Sequence, residues 1–340
     1  MISTPAPPQA NANQYIRNYS LIVSGNGLSG TTANGQPFNG YDLSNLKFKF
    51  SIKRTDTSTP NTADIRVYNV ENTTALQIFS QLGSGSTGAI VQRNGRVLLQ
   101  AGYNSNYGVI FSGDIYQIIL GRENATDTFI DFIAGDAHLA YNFSIVKTQI
   151  PAGCTQSMQV LAAANAMAAN GVSQGYIAGL PENKLPRGKV LYGNARNYLT
   201  SVAQNAGATW SIQNEQLTMY PVTAYPPGTA VVLTSKSGLV GTPQQTNVGV
   251  NVKCLLNPLI RPGTRINIAE ASVADFKIDI SQKDATANLP ASYNQDGEYY
   301  AQVVEHSGDT RGVEWYTNIQ GINTNQTVVP SVAVTVGTGP

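Results

Sequence analysis

The sequence predicts a mainly β protein that carries a smaller α+β unit between two β-rich segments. Three observations lead there. Phe48, Phe50 and Ile52 alternate with Lys47, Lys49, Ser51 and Lys53 inside the stretch Leu46–Val70. That is the two-residue period of a strand with one buried and one wet face. The composition is 41% hydrophobic and only 12% charged, with 32 Gly and 17 Tyr, which fits many turns and uncharged polar surfaces. The strongest helical spacing falls between Thr155 and Ala206, well inside the chain.

Taken in order, residues 1–13 form a flexible arm rich in Pro, Ala and Asn. Tyr15 to Ser24 is a first strand around Leu21-Ile22-Val23. Gly25, Gly27 and Gly30 follow at GxGxxG spacing. A dinucleotide site needs a helix to start there, and Thr31 to Gly40 has no helical period, so a turn or loop is the better account. Leu46 to Lys53 and Ile65 to Tyr68 make a long antiparallel hairpin around the polar loop Arg54–Thr62. A short helix from Asn72-Thr73-Thr74 to Gln81 presents Leu76, Ile78, Phe79 and Leu82. GSGSTG (83–88) lacks the Lys-Ser/Thr pair of a phosphate loop and is a turn. Arg96–Tyr103, Val109–Leu120 and Asp127–Ala134 are strands, with a bulge expected at Gly113.

The character changes after Asp136. Thr155 caps an Ala-rich helix reaching Asn170, with Met158, Val160 and Leu161 as its apolar face and Gly171 as its end. A second helix spans Ala195–Ala206, capped by Asn194 and ended by Gly207. Trp210–Tyr220 is a hairpin turning near Asn214-Glu215. Tyr225-Pro226-Pro227-Gly228 marks a boundary. Strands are then expected at Val231–Leu233, Val250–Leu256, Ile266–Ile268, Tyr299–Val304 and Val313–Ile322, the last with Val313, Trp315, Thr317 and Ile319 on one face. Asp275–Glu298 reads as an extended loop that reaches toward a neighbouring subunit.

The search for chemistry yields no catalytic, cofactor or metal residues. The net charge of +1 gives no field to attract nucleic acid. Cys154 and Cys254 are too far apart for a framework and read as small buried thiols. His138 lies at a unit junction and His306 in the turn His306-Ser307-Gly308; neither sits in a catalytic or metal motif. Asp131 with Asp136, and Asp275 with Asp279, are the carboxylate pairs a glycosidase would use, with nothing to raise one pKa. Lys47, Lys49, Lys53 and Arg54 form a basic stripe expected to face an acidic strip on a neighbouring subunit, or solvent. No signal peptide or transmembrane run is found, which implies folding in a cytoplasm without stable membrane insertion.

Several motifs in sequence order resemble a known family. Val67-Tyr68-Asn69-Val70, a short helix, Ala101-Gly102-Tyr103 and Ile110-Phe111-Ser112-Gly113-Asp114 are similar to the first domain of baseplate hub proteins from contractile phage tails. The hub portion of type VI secretion spike proteins is related to them. Gly188 to Gly207, Trp210 and Leu217 resemble the unit inserted in those hubs. Ser237-Gly238-Leu239-Val240-Gly241-Thr242-Pro243 and the stretch Leu255 to Gly263 resemble their second domain. The resemblance implies two tail-tube-like β-barrel or sandwich domains, 14–137 and 224–340, flanking an α+β domain, 138–223, with the extended loop at 275–298. It implies a homotrimer forming a pseudo-sixfold ring in the virion's tail baseplate, assembled in the host bacterial cytoplasm. The implied partners are the tail tube protein, the central spike, baseplate wedge or adaptor proteins and the tape measure protein, with DNA passing through unheld. A carbohydrate-binding or adhesin β module is the alternative, from the 17 tyrosines and abundant Asn.

Overall fold

The computed structural model describes residues 16–25, 30–31, 37–38, 40–82, 95–104, 106–245, 249–268 and 297–323. Strands β1 (Arg17–Ser24), β2 (Gly30–Thr31), β3 (Pro37–Phe38) and β4 (Gly40–Asp42) come first. The hairpin of β5 (Phe48–Thr55) and β6 (Thr62–Tyr68) follows. Its alternation buries Phe48, Phe50 and Ile52 and runs one step further, to bury Arg54. The predicted loop therefore shortens at both ends. After α1 (Asn72–Leu82) come β7 (Arg96–Tyr103), β8 (Asn106–Arg122) and β9 (Thr128–Gly135). Of the expected apolar positions in α1, Ile78 and Leu82 are buried, while Leu76 and Phe79 are exposed. The bulges in β8 lie at Ile110 and Tyr116, not at Gly113. Gly113 serves close approach instead: a Cβ there would stand 2.6 Å from the Gly135 carbonyl oxygen.

The middle of the chain holds α2 (His138–Phe143), β10 (Ile145–Ile150), α3 (Gln156–Ala168), β11 (Ser173–Ile177), β12 (Lys189–Asn194), α4 (Ala195–Ala206) and the hairpin β13 (Ala208–Gln213) with β14 (Gln216–Pro221). The α4 caps are those the sequence predicts: Asn194 accepts the Arg196 N–H at 3.0 Å, and Gly207 takes φ 60°. In α3 the buried stripe is Gln159, Val160, Ala163, Ala164 and Met167. Met158 and Leu161, expected inside, are about half exposed, while Val160, Ala163, Ala164 and Met167 join the core that α4 also lines. Residues 137–219 supply a hydrophobic core of their own.

The last part adds β15 (Val231–Leu233), β16 (Gln244–Gln245), β17 (Gly249–Leu255), β18 (Arg265–Ile268), β19 (Glu298–Asp309) and β20 (Trp315–Asn323). Val313 falls outside the strand and is 79% exposed, so the buried face is Trp315, Thr317 and Ile319. His306 sits in the middle of β19, not in a turn, because that strand runs five residues past Val304. The N-terminal arm, the GSGSTG segment, most of the 275–298 loop and the chain beyond Asn323 lie outside the described residues.

Among the described residues, thirteen strands form one continuous sheet. Its two halves share a pairing order. The first reads β5-β6-β9-β8-β7-β1, and the second β16-β17-β20-β19-β18-β15. The register agrees as well. In β8 a bulge separates Ile115 and Gln117, opposite Ala134 and Ile133; in β19 one separates Ala301 and Val303, opposite Gly321 and Gln320. Asp114 pairs with both Arg96 and Gly135, as Tyr300 pairs with both Arg265 and Ile322. One difference stands out: β1 runs antiparallel to β7, whereas β15 runs parallel to β18.

The halves meet where β5 pairs along β19, from Thr55 with Val303 to Lys49 with Asp309. Phe50 packs edge-on against Trp315 at 5.3 Å between centroids, and Tyr19 meets both Phe48 and Trp315. Arg17 reaches across to the Gly312 carbonyl at 2.6 Å and the Val313 carbonyl at 2.9 Å. Gly308 lies opposite Phe50, and a Cβ on it would stand 2.4 Å from the Phe50 ring. Gly308→Val is expected to lower stability by about 1–3 kcal/mol through overpacking. A urea midpoint equal to wild type would contradict this account of the seam.

Candidate functional site

The described residues contain one dense buried polar cluster, where the central hairpin, Asp136 and the β13–β14 turn converge. Asn214 and Glu215 both take positive φ, 52° and 63°, which a two-residue hairpin turn between twisted strands requires. Their N–H groups donate to the Asp136 carboxylate at 2.7 and 3.0 Å. Asn61 accepts the Thr55 N–H at 2.9 Å, and its amide nitrogen faces the Ile212 carbonyl, Gln213 Oε1 and Asp136 Oδ2 at 2.9, 3.0 and 3.2 Å. Two amide hydrogens shared among three acceptors leave at most two full-strength bonds. Gln213 donates to the Thr55 carbonyl at 2.6 Å and accepts from Arg54 at 3.1 Å. Arg54 also donates to the Ile110 carbonyl at 3.2 Å. The tip of the α+β unit is thereby keyed into the first half of the sheet.

Burial dominates the electrostatics. It lowers the Arg54 pKa to about 10, with Asp136 opposing. It raises Asp136 to about 6 against the pull of Arg54, the Asn214 N–H and Asn61. It raises Asp56 to about 7, opposed by the residue's own backbone N–H. Asp56 Oδ1 has no hydrogen-bond partner among the described residues. Shifted carboxyls of this kind often mark catalysis. Here both residues are only 3% exposed, and the donors around Asp136 are already committed to holding the turn, so the cluster fits a structural joint better than a reaction centre.

The other sequence candidates scatter. Asp131 accepts both ends of the Arg66 fork at 2.8 Å. His138 stacks on Tyr116 at 4.7 Å between centroids. His306 is buried, its Nδ1 lies 2.9 Å from Thr317 Oγ1, and burial lowers its pKa to about 3, which keeps it neutral near pH 7. Cys154 and Cys254 are free and buried, and burial pushes the Cys254 thiol up to about 12. Gly27, Asp275 and Asp279 lie outside the described residues. The basic stripe is corrected: Lys53 pairs with Glu305 at 3.4 Å and Lys49 with Asp309 at 4.0 Å. The acidic strip belongs to β19 of the same chain, and Arg54 points to the opposite, buried face. Sequence reasoning missed Asn61, Gln213 and Asp56. The one available signal was a run of polar residues after a strand, which looks like any loop. Among the described residues, no three metal-ligating side chains cluster, and no helix is long and apolar enough to cross a membrane.

Residues 36–272 match the family described as baseplate hub gp41. No curated protein matches the sequence. The chain is similar in fold to a 43 kDa tail protein of prophage MuSo2 from Shewanella oneidensis, at 9% identity and TM-score 0.52, covering 90% of this chain and 97% of that one. A tail protein from Neisseria meningitidis gives 11% identity and TM-score 0.51 over 90% and 97% of the two chains. An Escherichia coli component of the type VI secretion system, described as similar to the T4 bacteriophage tail proteins gp27 and gp5, gives 11% and 0.50 over 88% and 76%.

The Asp56 pKa fixes a pH dependence. Its folded value, about 7, lies above the ordinary 3.8, so the folded state holds the proton more tightly. The contribution to stability is whole below pH 4 and is lost as pH rises through 7, at about 1.4 kcal/mol per unit of pKa difference. His306 works in the opposite sense and is lost as pH falls below 6.5, so the comparison must be between variants. Asp56→Asn is expected to match wild type near pH 4 and to exceed it progressively toward pH 8. Denaturant midpoints across that range that move in parallel would refute it.

Proposed function

Because this chain belongs to the baseplate hub gp41 family, whose role in a phage baseplate is structural, we propose that it forms the hub ring itself. Three copies associate into a ring with pseudo-sixfold symmetry. The ring sits between the sixfold tail tube and the threefold central spike, contacts baseplate wedge or adaptor proteins and the tape measure protein, and leaves a passage for the genome. The match over residues 36–272 carries this reading. The repeated pairing order supports it: two similar half-sheets per chain give six similar positions from three chains. The near-zero net charge, +1, suits a channel wall that lets DNA pass without holding it. The units 14–137, 138–223 and 224–340 are proposed as the tube-like, inserted and second tube-like domains.

Native mass spectrometry of the purified chain, alone and with its spike, is expected to give a species of three times 36.2 kDa. Electron micrographs of that species should show a ring with a central hole and six similar lobes. A chain that stays single in both settings, or a closed particle without a hole, would overturn the proposal.

A further inference from the structure

The seam inside one chain supplies a template for the seam between chains. On β19, residues 303–308 have β20 on one side and β5 on the other. On β8, residues 117–122 have β9 on one side. β7 pairs only as far as Asp114, so among the described residues no strand lies along the other side. The matching bulges make the two segments equivalent: Gln117 stands where Val303 does, Ile119 where Glu305 does, and Leu120 where His306 does. The vacant place along β8 is therefore the place that β5 fills on β19.

The strand equivalent to β5 is β16. Ser51 pairs with Asp64 on β6, as Gln244 pairs with Asn251 on β17; Ile52 pairs with Ala63, as Gln245 pairs with Val250. β16 ends the sheet, with its outer side unpaired among the described residues. Two unpaired edges of complementary type lie at equivalent positions in the two halves. Such edges template strand addition.

We propose that β16 of one copy pairs antiparallel with residues 117–122 of β8 in the next copy. The register repeats the internal seam: as Ile52 faces His306, Gln245 faces Leu120, and as Ser51 faces Ser307, Gln244 faces Gly121. The contact is head-to-tail, so it continues around a ring until the rotation closes. Ile119 and Leu120 are 39% and 36% exposed in the single chain, and their burial would accompany the pairing. The internal seam carries Lys53–Glu305, but Ile119 replaces the glutamate here, so this joint should tolerate salt. The inference rests on the hub reading for the number of copies that close the ring.

The test is a double variant, Leu120→Cys with Gln245→Cys, in the full chain, oxidised at low concentration and run under denaturing conditions. Covalent dimers and trimers are expected, and neither single variant should give them; the native thiols are buried. Hydrogen exchange gives a second readout that needs no variant. The amides among residues 117–122 that point away from β9 should gain at least about tenfold protection in the assembled species over the dissociated one. A ring of three that neither cross-links nor protects these amides would overturn the inference and leave the hub reading standing. A chain that stays single at every concentration, alone and with its spike, would overturn both.

Discussion

The antiparallel pairing of β5 with β19 is the constraint on which the rest of the molecule depends. Without it the two half-sheets would be separate bodies on a string, each with a long open edge. With it, the five residues 49–53 of β5 have strand partners on both sides, and the aromatic group of Phe48, Phe50, Tyr19 and Trp315 closes over the seam. Most of the apolar core of the first half is local, but Trp315 and Leu256 belong to it as well. The last third of the chain thus completes the core of the first, and the two hydrophobic clusters of the large sheet are coupled by paired strands rather than by loops.

The buried polar cluster does a different job at the third corner. Apolar packing is nondirectional and would let the β13–β14 hairpin slide against the sheet. Asp136 and Asn61 remove that freedom, because they accept and donate only at one placement of the turn. The arrangement costs solvation: Arg54 and Asp136 are buried ionisable groups, and such groups give weak net stability even when well paired. Their return is a defined orientation of the α+β unit.

Much of the sheet was legible because its strands have one wet face. Phe48, Phe50 and Ile52 announce β5, and Val250, Val252 and Cys254 announce β17, by alternation alone. The caps of α4 were legible for the same local reason. Strand β10 was not: only Val146 and Ile150 are buried along IVKTQI, which leaves no period to read, and β12 buries only Leu191. The face of α3 misled because Met158 and Leu161 are large and apolar, while the buried stripe runs through Val160, Ala163, Ala164 and Met167, two of them alanines that carry little apolar signal. The polar joint was illegible, since Asn61, Asp136 and Gln213 are 152 positions apart at the extremes and nothing local marks them as mutual partners. The acidic partners of the lysine stripe were hidden by the same kind of separation.

Charge placement explains how a chain with this few charges keeps its internal seam in register. Lys49 and Lys53 are half exposed, so each ion pair to β19 is worth at most about 1 kcal/mol. Their value lies in the alternatives. In an antiparallel pair, a slip by two residues preserves the buried faces and so costs little apolar area. That slip would set Lys53 against Val303 or Ser307 and leave Glu305 opposite Ser51 or Thr55, without a cation. Gly308 adds a steric lock, because only at the observed register does the Phe50 ring fall over a residue without a side chain. Two weak ion pairs and one missing methyl group thus select a single alignment, and the half-sheets are then held at one spacing.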